Sequence, residues 1–315
     1  MTHIGIDISK AFFDAHLSGR NRRFKYDEAG IKDFIAILPV DAVCVMEATG
    51  PYSYRLAEAL YYRSIAVSMV NPLIIKRFGQ MSLRRTKTDS MDALLITEFA
   101  RRESLKPFVP LDDAKNRLKQ MVSALETLKE QSQALGNAVG ALRALPRVCD
   151  DAVMGMETSI AAINEAMAKL KKIIALETNA AYGKLAENLL TIPGFGSATV
   201  PILLVSTDGF ASFNSSRQLA AYVGLGPGTK ESGTSVRGKG TICRIGNSVL
   251  RAKLYMCSMT AARKNKACKA LYDRLVANGK PKKVALIAVA HKLLKQAFGI
   301  AKNGVAYDKN LSEVA

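Results

Sequence analysis

The sequence predicts an α/β domain with a mixed sheet, joined to an all-α remainder. Three strand-like runs come first: His3–Ser9 (HIGIDIS), Phe12–Gly19 (FFDAHLSG) and Arg22–Glu28 (RRFKYDE). Helical and strand-like patterns then alternate as far as Pro72, the signature of an α/β sheet. Beyond Pro107 and Pro110 the apolar residues recur at three- and four-residue spacing, which is helical.

The first two strand runs are separated by a short polar break, as in a meander. A helical pattern follows at Ile31, Phe34, Ile35 and Leu38, then the apolar strand AVCVMEA, then the helix SYRLAEALYYR. The strand IAVSMV stops at Asn71–Pro72. The next segment reads as a basic loop carrying Arg77, Arg84, Arg85 and Lys87, leading into a helix that begins near Asp89. The prolines at 107 and 110 mark a boundary, because the residue before a proline resists helix. The expected organisation is therefore 1–105, 106–182 and 183–315.

With 315 residues, 49% of them hydrophobic, the chain can bury a core in each part. Its formal charge of +18 favours a polyanionic partner, nucleic acid or an anionic membrane. Nucleic acid is the better expectation. No run of eighteen apolar residues is present, and the N-terminus reads as a strand rather than a signal peptide. The five cysteines lack CxxC spacing and read as reduced thiols of a cytoplasmic protein, mostly packing. His3, His16 and His291 lie in separate regions, which argues against a zinc site or a Cys–His nucleophile.

Four carboxylates stand out in the first domain. Asp7 lies inside an apolar strand run, where a charge needs a partner or a cation. Glu47 ends the run AVCVME. Both fall near strand ends, where open α/β sheets place ligand sites. Asp89 and Asp92, in KTDSMDA, are three residues apart, so one helix face can present both. Acids in a first helical turn are also ordinary capping residues, and that reading stands beside the functional one.

Between 106 and 182, Leu118, Met121, Leu125, Leu128, Leu135, Val139 and Leu142 fit heptad a and d positions. Ile160, Ile163, Met167, Leu170 and Ile174 repeat the pattern after a break near Pro146. Two such helices can fold back as a hairpin or pair with a second subunit. From residue 183 onward, LLTIPGFGSATVPILL resembles a helix-hairpin-helix element. Gly194 and Gly196 would permit the turn, and the amides beyond it can hold a phosphate without reading sequence. A plain helix–loop–helix link has the same appearance. A glycine-rich stretch follows with Lys230, Ser232 (in ESGTSVRG), Arg237, Lys239, Arg244, Arg251 and Lys253. Cations and small residues suit close approach to phosphates, and a solvated basic loop is the plainer alternative. The tail is helical and basic, with Arg263, Lys264, Lys266, Lys269, Lys280, Lys282 and Lys283 against Asp273. Tyr272 and Tyr307 lack the Arg and His companions of tyrosine recombinases.

Asp7 in its GID strand, Glu47 in EATG, KTDSMDA at the head of a helix and ESGTSVRG together resemble the DEDD transposases of the insertion-sequence family one-ten. The resemblance spans nearly the whole chain, in family order. It implies a RuvC-like, ribonuclease H-type first domain with Asp7, Glu47, Asp89 and Asp92 at the four acidic positions. Four carboxylates can hold two Mg²⁺ about 3.5–4 Å apart, clamping both oxygens of a phosphoryl transfer. Hard oxygen donors suit Mg²⁺ or Mn²⁺. The resemblance also implies a coiled-coil spacer that mediates assembly as a dimer or tetramer. It implies double-stranded DNA, donor and target, as substrate and Ser232 as a nucleophile that links covalently to DNA, with Ser235 its rival. Finally, it implies a bridge RNA as guide. A RuvC-like metal-dependent resolvase or nuclease without serine chemistry and a non-catalytic nucleic-acid-binding assembly protein are the two alternatives.

Overall fold

The computed structural model describes residues 1–81, 89–228, 231–232, 236–237, 241–243 and 245–308. The chain divides into two compact units, Met1–Leu111 and Asp112–Ala315.

The first unit is built on a five-stranded sheet in the order β3-β2-β1-β4-β5. Its strands are β1 (Thr2–Ile8), β2 (Phe12–Leu17), β3 (Arg20–Lys25), β4 (Ala42–Glu47) and β5 (Ala66–Val70). The first three pair antiparallel in sequence, whereas β4 and β5 are added in parallel beside β1. This mixed α/β sheet is consistent with the domain that the sequence motifs imply. A tight turn with positive φ at Ser18 and Gly19 closes the β2–β3 hairpin, which matches the twist of the strands it joins.

Strand alternation sorts the side chains onto two faces. On one, Ile4, Ile6, Phe13, Ala15, Cys44 and Met46 pack against α1 (Glu28–Ala36) and α2 (Pro51–Tyr61), burying Phe34, Leu56 and Leu60. On the other, Val45 packs with residues of α3 (Pro72–Met81) and α4 (Asp89–Arg102), among them Ile75, Phe78, Ile96 and Phe99.

The basic loop expected after Asn71–Pro72 is partly helix, so Arg77 lies on α3. Pro72 stands at the first helical position, where its missing N–H leaves no bond unmade, and Asn71 Oδ1 accepts from Leu73 N–H at 2.9 Å. Arg84, Arg85 and Lys87 lie outside the described residues.

In the second unit, α5 (Asp113–Arg143) and α6 (Asp150–Leu190) form a hairpin. Arg143 pairs with Glu157, Ser132 with Asn164 and Arg117 with Glu177, so the two helices run antiparallel. Leu118, Val122 and Leu125 of α5 belong to the same buried cluster as Met167 and Ile174 of α6. The helical path of α6 is interrupted at Gly183 (φ 46°, ψ −123°). The remaining helices are α7 (Val200–Thr207), α8 (Ser216–Val223), α9 (Ser248–Lys264), α10 (Lys266–Ala277) and α11 (Lys282–Asn303). Among the described residues between α8 and α9 lie four two-residue strands, β6 (Pro227–Gly228), β7 (Glu231–Ser232), β8 (Val236–Arg237) and β9 (Thr241–Ile242). They pair as β6 with β9 and β7 with β8. By length and composition α11 is apolar enough to cross a membrane, yet its Ala285, Val289, Leu293 and Leu294 are buried in the helical core.

Candidate active site

The candidate site starts from β1, the central strand. Asp7 lies near its C-terminal end and is half-buried. The parallel register pairs Ile6 with Met46. Continued by one residue, it sets Asp7 beside Glu47, with the strands about 4.8 Å apart. Glu47 is the last residue of β4 and is also half-buried. Two of the four expected ligands thus occupy neighbouring positions at the same end of a parallel pair.

The helix carrying the other two crosses the same face. Gly5 lies two residues before Asp7, and α4 packs directly onto it. A Cβ there would stand 2.2 Å from Ala93 O and 2.4 Å from Thr97 N. Gly5 N–H donates to Thr97 Oγ1 at 2.8 Å, and Thr97 Oγ1 donates in turn to Ala93 O at 3.0 Å. Asp92 immediately precedes Ala93 and is half-buried. Asp89 opens α4 at its first residue, and its side chain lies outside the described residues. Among the described residues, no three of His, Cys, Asp or Glu are grouped to hold a metal ion. The candidate donors are all carboxylate oxygens, which suits a hard divalent cation.

On the other side of β1, β2 contributes a carboxylate that the sequence reading passed over. Asp7 is in register with Asp14 of β2, which is in register with Arg23 of β3. Asp14 is 8% exposed and accepts two hydrogen bonds from Arg23, Nε at 3.1 Å and Nη2 at 2.9 Å. Glu47, Asp7, Asp14 and Arg23 therefore form one row across four strands. Its signal was present in the sequence as an acid in FFDAHL facing an arginine in RNRRFK, each four residues from the Ser18–Gly19 turn.

In the second unit, Ser232 lies on β7, paired with Val236 of β8, and Arg237 pairs with Glu231 in the same ladder. The side chains of these strands lie outside the described residues, as do Lys230, Ser235, Lys239 and Arg244 altogether. Arg251 is described. Its Nη1 donates to Val223 O at 2.9 Å, at the C-terminal end of α8, a favourable place for a cation. Lys253 pairs with Glu126 of α5 at 2.8 Å. Burial alone would push the Glu126 carboxyl up, but Lys129 and Lys253 outweigh it and hold it below the usual range.

Gly194 and Gly196 differ. Gly194 has φ 118° and lies against α9, where a Cβ would stand 2.8 Å from Ala261 Cβ. Gly196 is exposed, and a Cβ there would meet open space. Cys44 and Cys268 are buried, which pushes each thiol up to about 12, as expected of packing cysteines.

Two family models match the chain. Residues 186–273 match "Transposase IS116/IS110/IS902 family", and residues 4–145 match a second model described as "Transposase". A pilin gene-inverting protein of Moraxella bovis is 29% identical over 324 residues, covering 99% of each chain. A probable family 20 transposase of Pseudomonas aeruginosa is 25% identical, covering 98% of each. An uncharacterized protein of an insertion element from Streptomyces coelicolor is 30% identical over 51% of this chain and 39% of its own.

Proposed function

Because the chain belongs to the IS116/IS110/IS902 family of transposases, we propose that this DNA transposase cuts and rejoins its substrate with divalent cations and a serine nucleophile. Asp7, Glu47, Asp89 and Asp92 would hold the ions, Mg²⁺ or Mn²⁺. Ser232 would attack. The observation that carries the reading is the register of β1 and β4, which sets Asp7 beside Glu47 on the sheet face that α4 crosses.

When bound, the cations would neutralise charge on the phosphate and favour the ionised attacking and leaving oxygens. The carboxylates orient that centre from rigid elements, a parallel strand pair and a helix fixed to it at Gly5. Ser232 Oγ forms a bond to phosphorus and the P–O bond to one deoxyribose oxygen breaks. The proton shed by the serine balances the one taken up by the leaving oxygen. The phosphoserine link keeps the energy of the broken ester, so a second DNA hydroxyl can displace the serine and rejoin the strands without ATP. A full-length relative named for inverting a gene is in keeping with cutting followed by rejoining.

Arg84, Arg85, Lys87, Lys230, Arg237, Lys239 and Arg244, together with the turn at Gly194 and Gly196, would meet double-stranded DNA and a guiding bridge RNA. Assembly as a dimer or tetramer would use α5 and α6, where Met154, Ile173 and Leu176 are exposed, Leu176 at 74%.

The test is a transposition assay with a covalent-adduct readout. Asp7→Asn should abolish cleavage. Ser232→Ala should abolish strand exchange and the detergent-resistant protein–DNA adduct. Cutting that survives Ser232→Ala would make the protein a metal-dependent nuclease. Full activity in Asp7→Asn would remove the metal reading. RNA co-purified with the protein and sequenced, then withheld and restored, tests the guide.

A further inference from the structure

The β2–β3 hairpin carries a feature that the carboxylate chemistry leaves unused. Four of the six residues of β3 are basic (Arg20, Arg22, Arg23 and Lys25), none is acidic, and the strand forms the sheet edge. Arg23 pairs with a carboxylate, Asp14. Arg20, Arg22 and Lys25 are exposed. Phe12 of β2 faces Lys25 in register and is 39% exposed, large for an aromatic ring in a sheet. The Arg23 guanidinium lies over that ring, 5.8 Å from its centroid. Because Arg23 bonds Asp14, and Asp14 is the register partner of Asp7, strand alternation puts Phe12, Arg23 and Lys25 on the Asp7 face.

We infer that this hairpin holds the substrate DNA strand beside the carboxylate row: Lys25 takes a backbone phosphate, and an unpaired base stacks against Phe12 and the Arg23 guanidinium that lies over its ring. The inference rests on the cation-site reading of Asp7 and Glu47. Charge complementarity selects the occupant, because a surplus of exposed cations suits a polyanion. An aromatic ring among those cations suits an unstacked base, since every base offers a π-face. The two bonds that Arg23 donates to Asp14 keep it in place, so the ring and the cation are preorganised. The strand that must reach Asp7 is the one being cut, and this platform lies on the next two strands of the same face.

The experiment uses the full chain in EDTA, so that binding is read without metal. Single-stranded oligonucleotides carrying 5-iodouracil, in DNA and RNA forms, are irradiated with wild type and with Phe12→Ala, and the adduct is mapped by tryptic digestion. The expected result is a DNA cross-link in the peptide spanning 11–20 that disappears in Phe12→Ala. In parallel, Phe12→Ala should weaken single-stranded DNA binding about five-fold or more, the loss of one stacked base. Lys25→Ala should lower the slope of log affinity against log salt by about 0.7, one phosphate contact. Wild-type binding in both variants with no cross-link in that peptide would overturn the inference and leave β3 as a charge-protected sheet edge. A cross-link to RNA alone would overturn the assignment to the substrate strand. A cross-link to DNA alongside undiminished transposition in Asp7→Asn would keep the contact and remove the cation-site reading instead.

Discussion

Gly5 N–H donates to Thr97 Oγ1 across 2.8 Å, a bond between the central strand and the helix that begins with Asp89. It is buried, and the missing side chain at Gly5 is what allows the approach. Gly5→Ala would drive a methyl to 2.2 Å from a backbone oxygen that cannot swing aside. The expected cost is about 3 kcal/mol, the upper range of overpacking. Denaturant unfolding should show it, and transposition should fall further than stability alone accounts for, because α4 is displaced from the Asp7 strand. Thr97→Val keeps the shape but orphans the Gly5 N–H, at a cost of about 1–3 kcal/mol.

The Arg23–Asp14 pair makes a separate prediction. Asp14 is buried while the Arg23 side chain is 55% exposed, so solvent screens part of the attraction. Arg23→Met strands a carboxylate in the sheet and should destabilise by about 1–3 kcal/mol. Adding Asp14→Asn should recover part of that loss, because the stranded charge is gone. A double-mutant cycle by urea unfolding measures the difference; additive losses would mean that the two side chains do not interact.

How far these features were legible in the sequence follows from their physics. The strands of the first unit carry an alternating pattern that a single sequence displays, and so β1, β2 and β4 were expected where they occur. Asp7 and Glu47 announced themselves as charges in apolar runs. Their adjacency did not, because parallel pairing is a long-range choice that no local pattern encodes. Asp14 was hidden for a related reason: its partner Arg23 lies across a hairpin, and the meaning of the acid depends on the register. The helix α3 was missed because Pro72 reads as a stop in isolation and as a first-turn residue in context. The heptads of α5 and α6 showed two helices but left open whether they pair within the chain, and the ion pairs between them answer that.

His291 gives the second unit a pH dependence. Burial lowers its pKa below the ordinary 6.5, and Lys295 adds to the effect. The unfolded chain therefore binds a proton at a higher pH than the folded one. Stability contributed by neutral His291 is present above about pH 6.5 and is lost as pH falls below it toward the folded value. The thermal midpoint of the second unit should drop between pH 7 and pH 5. His291→Gln should flatten that drop, and an unchanged slope would assign the dependence to other groups.

The two glycines of the turn after α6 separate packing from phosphate contact. Gly194 combines φ 118° with a neighbour, Ala261 Cβ, only 2.8 Å from where its own Cβ would be. Gly194→Ala is strained on both counts and should destabilise the second unit by about 2–4 kcal/mol. Any loss of DNA binding in that variant then reflects the fold. Gly196 is exposed with open space around it, so Gly196→Ala should leave the unfolding midpoint within about 0.5 kcal/mol of wild type. If the turn amides hold a phosphate, the added methyl crowds the approach, and duplex affinity should fall without any change in stability. Equal duplex affinity in Gly196→Ala and wild type, measured by fluorescence anisotropy at fixed salt, would mean that DNA does not approach the turn at this residue.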